Sequence, residues 1–115
     1  MTLTPIGQTG MRPATLRDQP APNLDWVPLD RLVVDRSYQR DLSQASLRHI
    51  RRIADNWDWS KFQPILVAPR EDGVLAVVDG QHRAEAAALL GIESLPAMAV
   101  PMTPSQQAAG FAAVN

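Results

Sequence analysis

The chain has 115 residues, eleven Lys and Arg against twelve Asp and Glu, a net charge of -1 and no cysteine. That length holds one domain; the balanced charge excludes a protein that coats nucleic acid by bulk electrostatics, and the absence of cysteine excludes disulfide scaffolds, Cys-ligated metal and thiol catalysis. No apolar run of about 18 residues is present and the N-terminus lacks a basic-then-apolar signal segment, so a cytoplasmic protein that does not span a membrane is expected.

Residues 1–24 are rich in Thr, Pro, Gly and Gln and have no apolar period. Such a segment cannot bury enough surface to offset its ordering entropy, so a disordered tail is expected, with the domain proper over 25–103. Residues 26–34 (WVPLDRLVV) read as one kinked strand. Pro28 withholds a ladder donor, which places the segment at a sheet edge or a bulge. Residues 35–41 form a polar connector. Over 42–57 the spacing predicts a helix: Ser43 is a suitable N-cap, and Leu47, Ile50, Ile53, Ala54 and Trp57 recur at intervals of three and four. The opposite face carries Arg48, His49, Arg51 and Arg52. An aromatic loop, 58–62, is closed by Pro64.

Residues 65–69 and 74–78 read as a hairpin turned at Asp72-Gly73, an Asp-Gly turn signal. Asp79-Gly80-Gln81-His82-Arg83 then opens an alanine-rich helix to Leu90, with Gly91 placed as its C′ residue. A strand follows over 95–100. Pro101 and Pro104 bracket a turn, and a last helix runs over 105–115 with an apolar pattern that reaches the final residue, so a truncated helix is expected. Strands and helices alternate, which makes the class α+β (or α/β), a small mixed sheet with flanking helices.

The strongest chemical signal is the passage from strand to helix at 77–83. The first N–H groups of a helix have no internal partner and carry partial positive charge, which makes an anion site. Gly80 lets a phosphate approach the backbone, Gln81 and His82 add donors, and Arg83 adds a planar fork. The dipole is worth about 0.3–1 kcal/mol and a charge-assisted hydrogen bond about 1.5–3, so Arg83 should dominate the affinity. The alternative is a plain capped helix with Asp79 as its N-cap. Two basic residues in the first turn oppose the dipole, however, and that conflict makes better sense for anion binding than for stability.

Residues 26–100 resemble the ParB/sulfiredoxin superfamily, and the box at 79–83 resembles that of its phage and bacterial members with Asp-Gly-Gln-His-Arg. ParB proteins carry Gly-Glu-Arg-Arg where this chain has Gly80-Gln81-His82-Arg83. Sulfiredoxins carry Gly-Cys-His-Arg, so Gln81 stands in place of their catalytic cysteine and sulfinic-acid reduction is lost. Archaeal free-serine kinases of this fold carry Asp-Gly-His-His-Arg, which is similar again. A second box, Ser37-Tyr38-Gln39-Arg40, resembles the Asn-Pro-x-Gln-Pro-Arg-like element of ParB without its prolines; taken alone, its alternative is a polar turn with Arg40 on the surface.

The resemblance spans about two-thirds of the chain. It implies a ParB/sulfiredoxin-like fold and a nucleotide site made by Gln39, Arg40, Gly80, Gln81, His82 and Arg83. The ligand would be CTP or ATP, with Mg²⁺ brought by the phosphates and no metal site of the protein's own. Residues 107–115 look like an Ala/Phe-rich family helix cut short. The helix-turn-helix and dimerisation region of ParB is missing, so DNA would be contacted through a part absent from this chain, and a homodimer is an allowed assembly.

Three functions compete. One is a nucleotide-binding module in DNA partition or regulation, encoded by a phage or mobile element. A second is a kinase-like or nucleotide-hydrolysing enzyme with Asp79 as catalytic base. The third is an interaction domain with a vestigial pocket. Arg48, Arg51 and Arg52 are candidate nucleic-acid contacts, against the alternative of a solvated helix face. Trp57 and Trp59 could stack a base, against the alternative of core packing.

Overall fold

Pro28 ends the first strand, β1 (Asn23–Pro28), and a single 3₁₀ turn over Leu29–Arg31 leads into β2 (Leu32–Val33). Helix α1 (Gln44–Asp55), β3 (Ile65–Pro69), β4 (Leu75–Asp79), α2 (Gln81–Leu89), β5 (Ser94–Ala99) and α3 (Pro104–Val114) follow. The computed structural model describes residues 2–37, 39 and 41–114. Residues 2–22 carry neither helix nor strand and are exposed throughout, and the first strand starts at Asn23, two residues ahead of the boundary expected at Asp25.

The sheet order is β1-β5-β3-β4-β2. The single strand expected over 26–34 is therefore two strands on opposite edges of one sheet. Four residue steps separate Pro28 from Leu32, a reach of at most about 14 Å. Five strands laid flat would put the two edges about 19 Å apart. The sheet must curl until its edges nearly meet, and the Leu29 N–H donating to the Glu93 carbonyl (2.9 Å) ties the crossing turn to the segment before β5. Within the sheet β1/β5 and β3/β4 are antiparallel, whereas β5/β3 and β4/β2 are parallel. Inside the curl lie Val27, Ile65, Val67, Leu75, Val77, Leu95 and Ala97.

The starts of α1 and α3 and the end of α2 carry the residues that their chemistry calls for. The Ser43 hydroxyl accepts from the Ser46 N–H (3.0 Å) and starts α1. Ile50 and Ala54 are buried against Ala86 of α2, but Leu47, expected on that face, is 45% exposed. Helix α2 ends in a Schellman motif: Gly91 adopts φ 73°, its N–H donates to Ala88 O, and the Ile92 N–H donates to Ala87 O. The hairpin turn holds Asp72 and Gly73 at φ 66° and 77°, a conformation that Gly and Asp tolerate. Helix α3 begins one residue before the expected start. Pro104 is its first residue, and Thr103 and Gln106 form a reciprocal capping box, Gln106 N–H to Thr103 Oγ1 (3.2 Å) and Thr103 N–H to Gln106 Oε1 (2.9 Å). No helix among the described residues is long and apolar enough to cross a membrane.

A polar network fastens α3 to the rest. Gln107 is 1% exposed; its Oε1 accepts from Arg70 Nε (2.9 Å), and its Nε2 donates to Met102 O (3.0 Å). Arg70 Nη2 also donates to Asp35 Oδ2 at 2.6 Å. The Ser37 hydroxyl, the Arg70 guanidinium and the Ser37 N–H together hold the Asp35 carboxyl at about 2, below its ordinary 3.8. Replacing Gln107 by Leu leaves Arg70 short of an acceptor and should cost about 1–3 kcal/mol, with faster amide hydrogen exchange in α3 than elsewhere. A depressed carboxylate pKa stabilises the fold above the unfolded value and ceases to do so as pH falls through the folded value. Acid titration should therefore show a loss between pH 3.8 and about 2 that is absent in Asp35→Asn.

Candidate functional site

Strand β4 reaches the site through an irregularity. Leu66 faces Asp79, whereas Val67 faces Val77, so β4 carries one extra residue, Val78, in a β-bulge. A bulge bends its strand and re-aims the side chains beyond it. Here that residue is Asp79. Asp79 is the last residue of β4 and not the helix N-cap expected for it; the cap is Gly80, at φ 111° and ψ 21°, which has no side chain to accept from the helix. The first helical bond is Ala84 N–H to Gly80 O (2.9 Å). The N–H groups of Gln81, His82 and Arg83 are therefore left without helical partners.

Only glycine fits at this junction. A Cβ on Gly80 would lie 2.5 Å from Ile65 Cγ2 and 2.9 Å from both Ile65 Cβ and Arg83 Nη2. Ile65 is fully buried and has no room to retreat.

Arg83 turns toward the loop that follows α1. Its Nη2 is 3.8 Å from Asp79 Oδ2 and 3.4 Å from Pro64 O, and its guanidinium carbon sits 5.9 Å from the centre of the Phe62 ring. The side chain is only 25% exposed, and its Nε is buried with no hydrogen-bond partner. It lines a cleft of about 330 Å³ together with His49, Asn56, Trp57, Lys61 and Phe62. Trp57 Nε1, a second donor buried without a partner, belongs to the same cleft wall. Unsatisfied buried donors are uncommon in folded proteins, and two of them beside one cleft point to a ligand rich in acceptors.

His82 faces His49 across the α1–α2 packing, with Nδ1 to Nδ1 at 2.8 Å. At that distance one proton serves both nitrogens. Burial and the neighbouring charge of His49 lower the His82 pKa below its usual 6.5, and Glu85 acts in the opposite sense.

The residues named from sequence do not all converge. Arg83 packs over Gly80 and lines the cleft, whereas His82 meets the cleft only through His49, which lines it. Gln81 turns to the other side of α2, where it lines a smaller cavity with Leu29 and Leu32. Gln39 is 2% exposed; its Nε2 donates to Val77 O (2.8 Å), while its Oε1 is buried without a partner. It braces β4 two residues before the site. Arg40 and Tyr38 lie outside the described residues. Arg48, Arg51 and Arg52 are exposed on α1, and Arg51 pairs with Asp55 at 3.6 Å. Nothing in the sequence marks Lys61, Asn56 and Phe62 as site residues, although the run Asp58-Trp59-Ser60-Lys61-Phe62 is a visible sign of an aromatic loop. His49 is 33 residues from His82, and no sequence pattern pairs them.

No protein-family model matches the chain, and no curated protein sequence matches it. Solved structures do. The C-terminally truncated chromosome-partitioning protein ParB from Caulobacter crescentus, complexed with CTP-gamma-S, matches with a TM-score of 0.63 and 22% identity over 77% of this chain and 50% of that one. The same protein complexed to the centromeric parS site gives 0.66 and 22% over 79% and 46%. Sulfiredoxin from Arabidopsis thaliana gives 0.57 and 22% over 78% and 98%. The chain spans about half the length of the ParB chains. These likenesses establish a ParB/sulfiredoxin-like fold, as the sequence motifs implied.

Gly80→Ala should be costly, because the strained φ and the overpacking against Ile65 add to about 2–5 kcal/mol. Thermal unfolding should show the midpoint falling by 10 °C or more, at about 4–8 °C per kcal/mol.

Proposed function

We propose that the chain is a nucleotide-binding module that takes the phosphates of CTP or ATP at the start of α2. The single observation that carries this reading is Arg83: a guanidinium three-quarters buried, with its Nε unpaired, beside three open backbone N–H groups at an uncapped helix start. Such a group does not serve stability. It serves an anion that supplies the missing acceptors. The phosphates would lie against Gly80, His82 and Arg83, and the aromatic wall of Trp57 and Phe62 would receive the nucleoside. Mg²⁺ would enter with the phosphates. The ParB structure that holds CTP-gamma-S supports the reading through its shared fold. The same likeness supports a role in DNA partition or regulation in the cytoplasm; phage or mobile-element coding is proposed from the Asp79–Arg83 box alone. DNA and a second copy of the chain are the macromolecular partners this reading allows.

One observation favours a second reading, phosphotransfer or hydrolysis. Asp79 is not used as a helix cap, and its carboxylate pairs loosely with Arg83 at 3.8 Å beside the proposed phosphate site, where it would act as the base once a phosphate takes up Arg83. Product analysis with the responding nucleotide separates enzyme from sensor.

A thermal-shift screen with CTP, ATP, ADP and GTP, with and without Mg²⁺, tests the proposal. A ligand at about 100 times its dissociation constant adds about 2.7 kcal/mol, a rise of about 10 °C or more for a domain of this size. Arg83→Ala should abolish the rise; because it also removes the Nη2 contacts with Pro64 O and Asp79 and the packing on Phe62, it should lower the ligand-free stability by about 0.5–3 kcal/mol without unfolding the domain. A normal rise in Arg83→Ala would refute the site.

The sign of the pH effect follows from His82. Its lowered pKa means that the unfolded chain binds the extra proton first, so ligand-free stability is lost as pH falls below 6.5. A bound phosphate favours the imidazolium, so binding should draw in a proton and tighten as pH falls from about 7.5 to 6. Calorimetry in buffers of different ionisation heat reads that uptake.

A further inference from the structure

Helix α1 packs one side on α2, through Ile50, Ala54 and His49, and leaves the other uncovered. There Leu47, Arg48, Arg51 and Arg52 line an open depression of about 420 Å³. Leu47 and Arg51 are four residues apart, and so are Arg48 and Arg52. Side chains at that spacing stand one above the other as a ridge, and the space between two such ridges is a groove into which another helix packs.

This face is arranged against the stability of the free chain. Leu47, a large apolar residue among arginines, is 45% exposed. Arg48 and Arg52 repel each other across one helical turn, and no ion pair holds either of them among the described residues. Arg51 pairs with Asp55 at 3.6 Å, but both side chains are more than half exposed, and such a pair contributes little. The face thus gathers three arginines in a chain whose net charge is -1.

We infer that this face of α1 docks an acidic amphipathic helix of a partner protein, which sets an apolar side chain on Leu47 and carboxylates on Arg48, Arg51 and Arg52. Guanidinium and carboxylate match as planar forks. Carboxylates one turn apart on the partner helix repeat the interval that separates Arg48 from Arg52, and helix-in-groove docking uses such spacing. A nucleic-acid backbone supplies the anions but nothing apolar for Leu47, and a long polyanion meets the field of the whole chain, which does not attract it. A single helix-on-helix contact buries less than a standard interface of about 1,600 Å², so the complex is transient, with a dissociation constant of about 10 μM or weaker. The face shares no lining residue with the Arg83 cleft and stands whether or not nucleotide binds there.

The probe that tests the inference is a fluorescein-labelled helical peptide of about 18 residues of Glu, Ala and Leu, its leucines in one stripe flanked by glutamates. Titration with the full chain, followed by anisotropy, should show saturable binding at low salt. It should be about tenfold tighter than for a peptide of the same composition with its leucines scattered round the helix. Leu47→Gln should remove that preference. Arg48→Gln with Arg52→Gln should weaken the striped peptide about tenfold and flatten its salt dependence. Glutamine is a good helix former, so circular dichroism should show both variants folded as the parent is. The inference is overturned if the striped peptide does not bind, if the scattered peptide binds as tightly, if Leu47→Gln keeps the preference, or if duplex DNA or dT12 binds this face more tightly than the peptide.

Discussion

Gly80 touches Ile65 so closely that nothing larger than hydrogen can stand between them. Ile65 opens β3, one residue before the position that pairs with Asp79 at the end of β4. The two inner strands of the hairpin thus close on each other where α2 must begin, and the chain escapes only through a left-handed residue. That geometry leaves the helix without a side-chain cap. The same contact therefore orders the sheet, positions α2 and keeps three backbone donors open.

The surroundings support this junction from several directions. Gln39 braces β4 through Val77 O, and the bulge at Val78 turns Asp79 toward Arg83. The fully buried Ala86 and Ala87 let α2 sit close to α1 and the sheet, which brings His82 against His49. On the far side, Gly110 of α3 packs against Val78, its absent Cβ leaving just enough room. Asp35 and Arg70 then link α3, the hairpin and the connector that carries Gln39. The site is small, yet the position of each of its parts depends on contacts made across the whole sheet.

The helix ends and the cleft wall treat their polar groups in opposite ways. Ser43, Thr103 and Gly91 each satisfy a helix end. Arg83 and Trp57 do the reverse, because each buries a donor with no acceptor. Both line the same cleft.

Much of this was readable in the chain. Ser43, Asp72-Gly73 and Gly91 marked the boundaries of α1, the hairpin and α2 because caps and turns are local, set by a few adjacent residues. The strand–Gly–helix passage at 77–83 was legible for the same reason, and it is the start of α2 with Gly80 as its cap. What the sequence could not disclose was non-local. Residues 26–34 looked like one strand, and only the curl of the sheet shows why Pro28 and Leu32 must part to opposite edges. Asp79 looked like a cap until the bulge and the Ile65 contact moved that role to Gly80. His49 meets His82, Gln81 turns away from Arg83, and Trp57 joins the cleft because of how α1 packs on α2 and which way each helix face turns. Sequence alone determined the elements, the hairpin and the chemistry of the motif, since these depend on neighbours along the chain. Tertiary structure decided which side chains share a cleft, since that depends on packing between segments that periodicity does not relate.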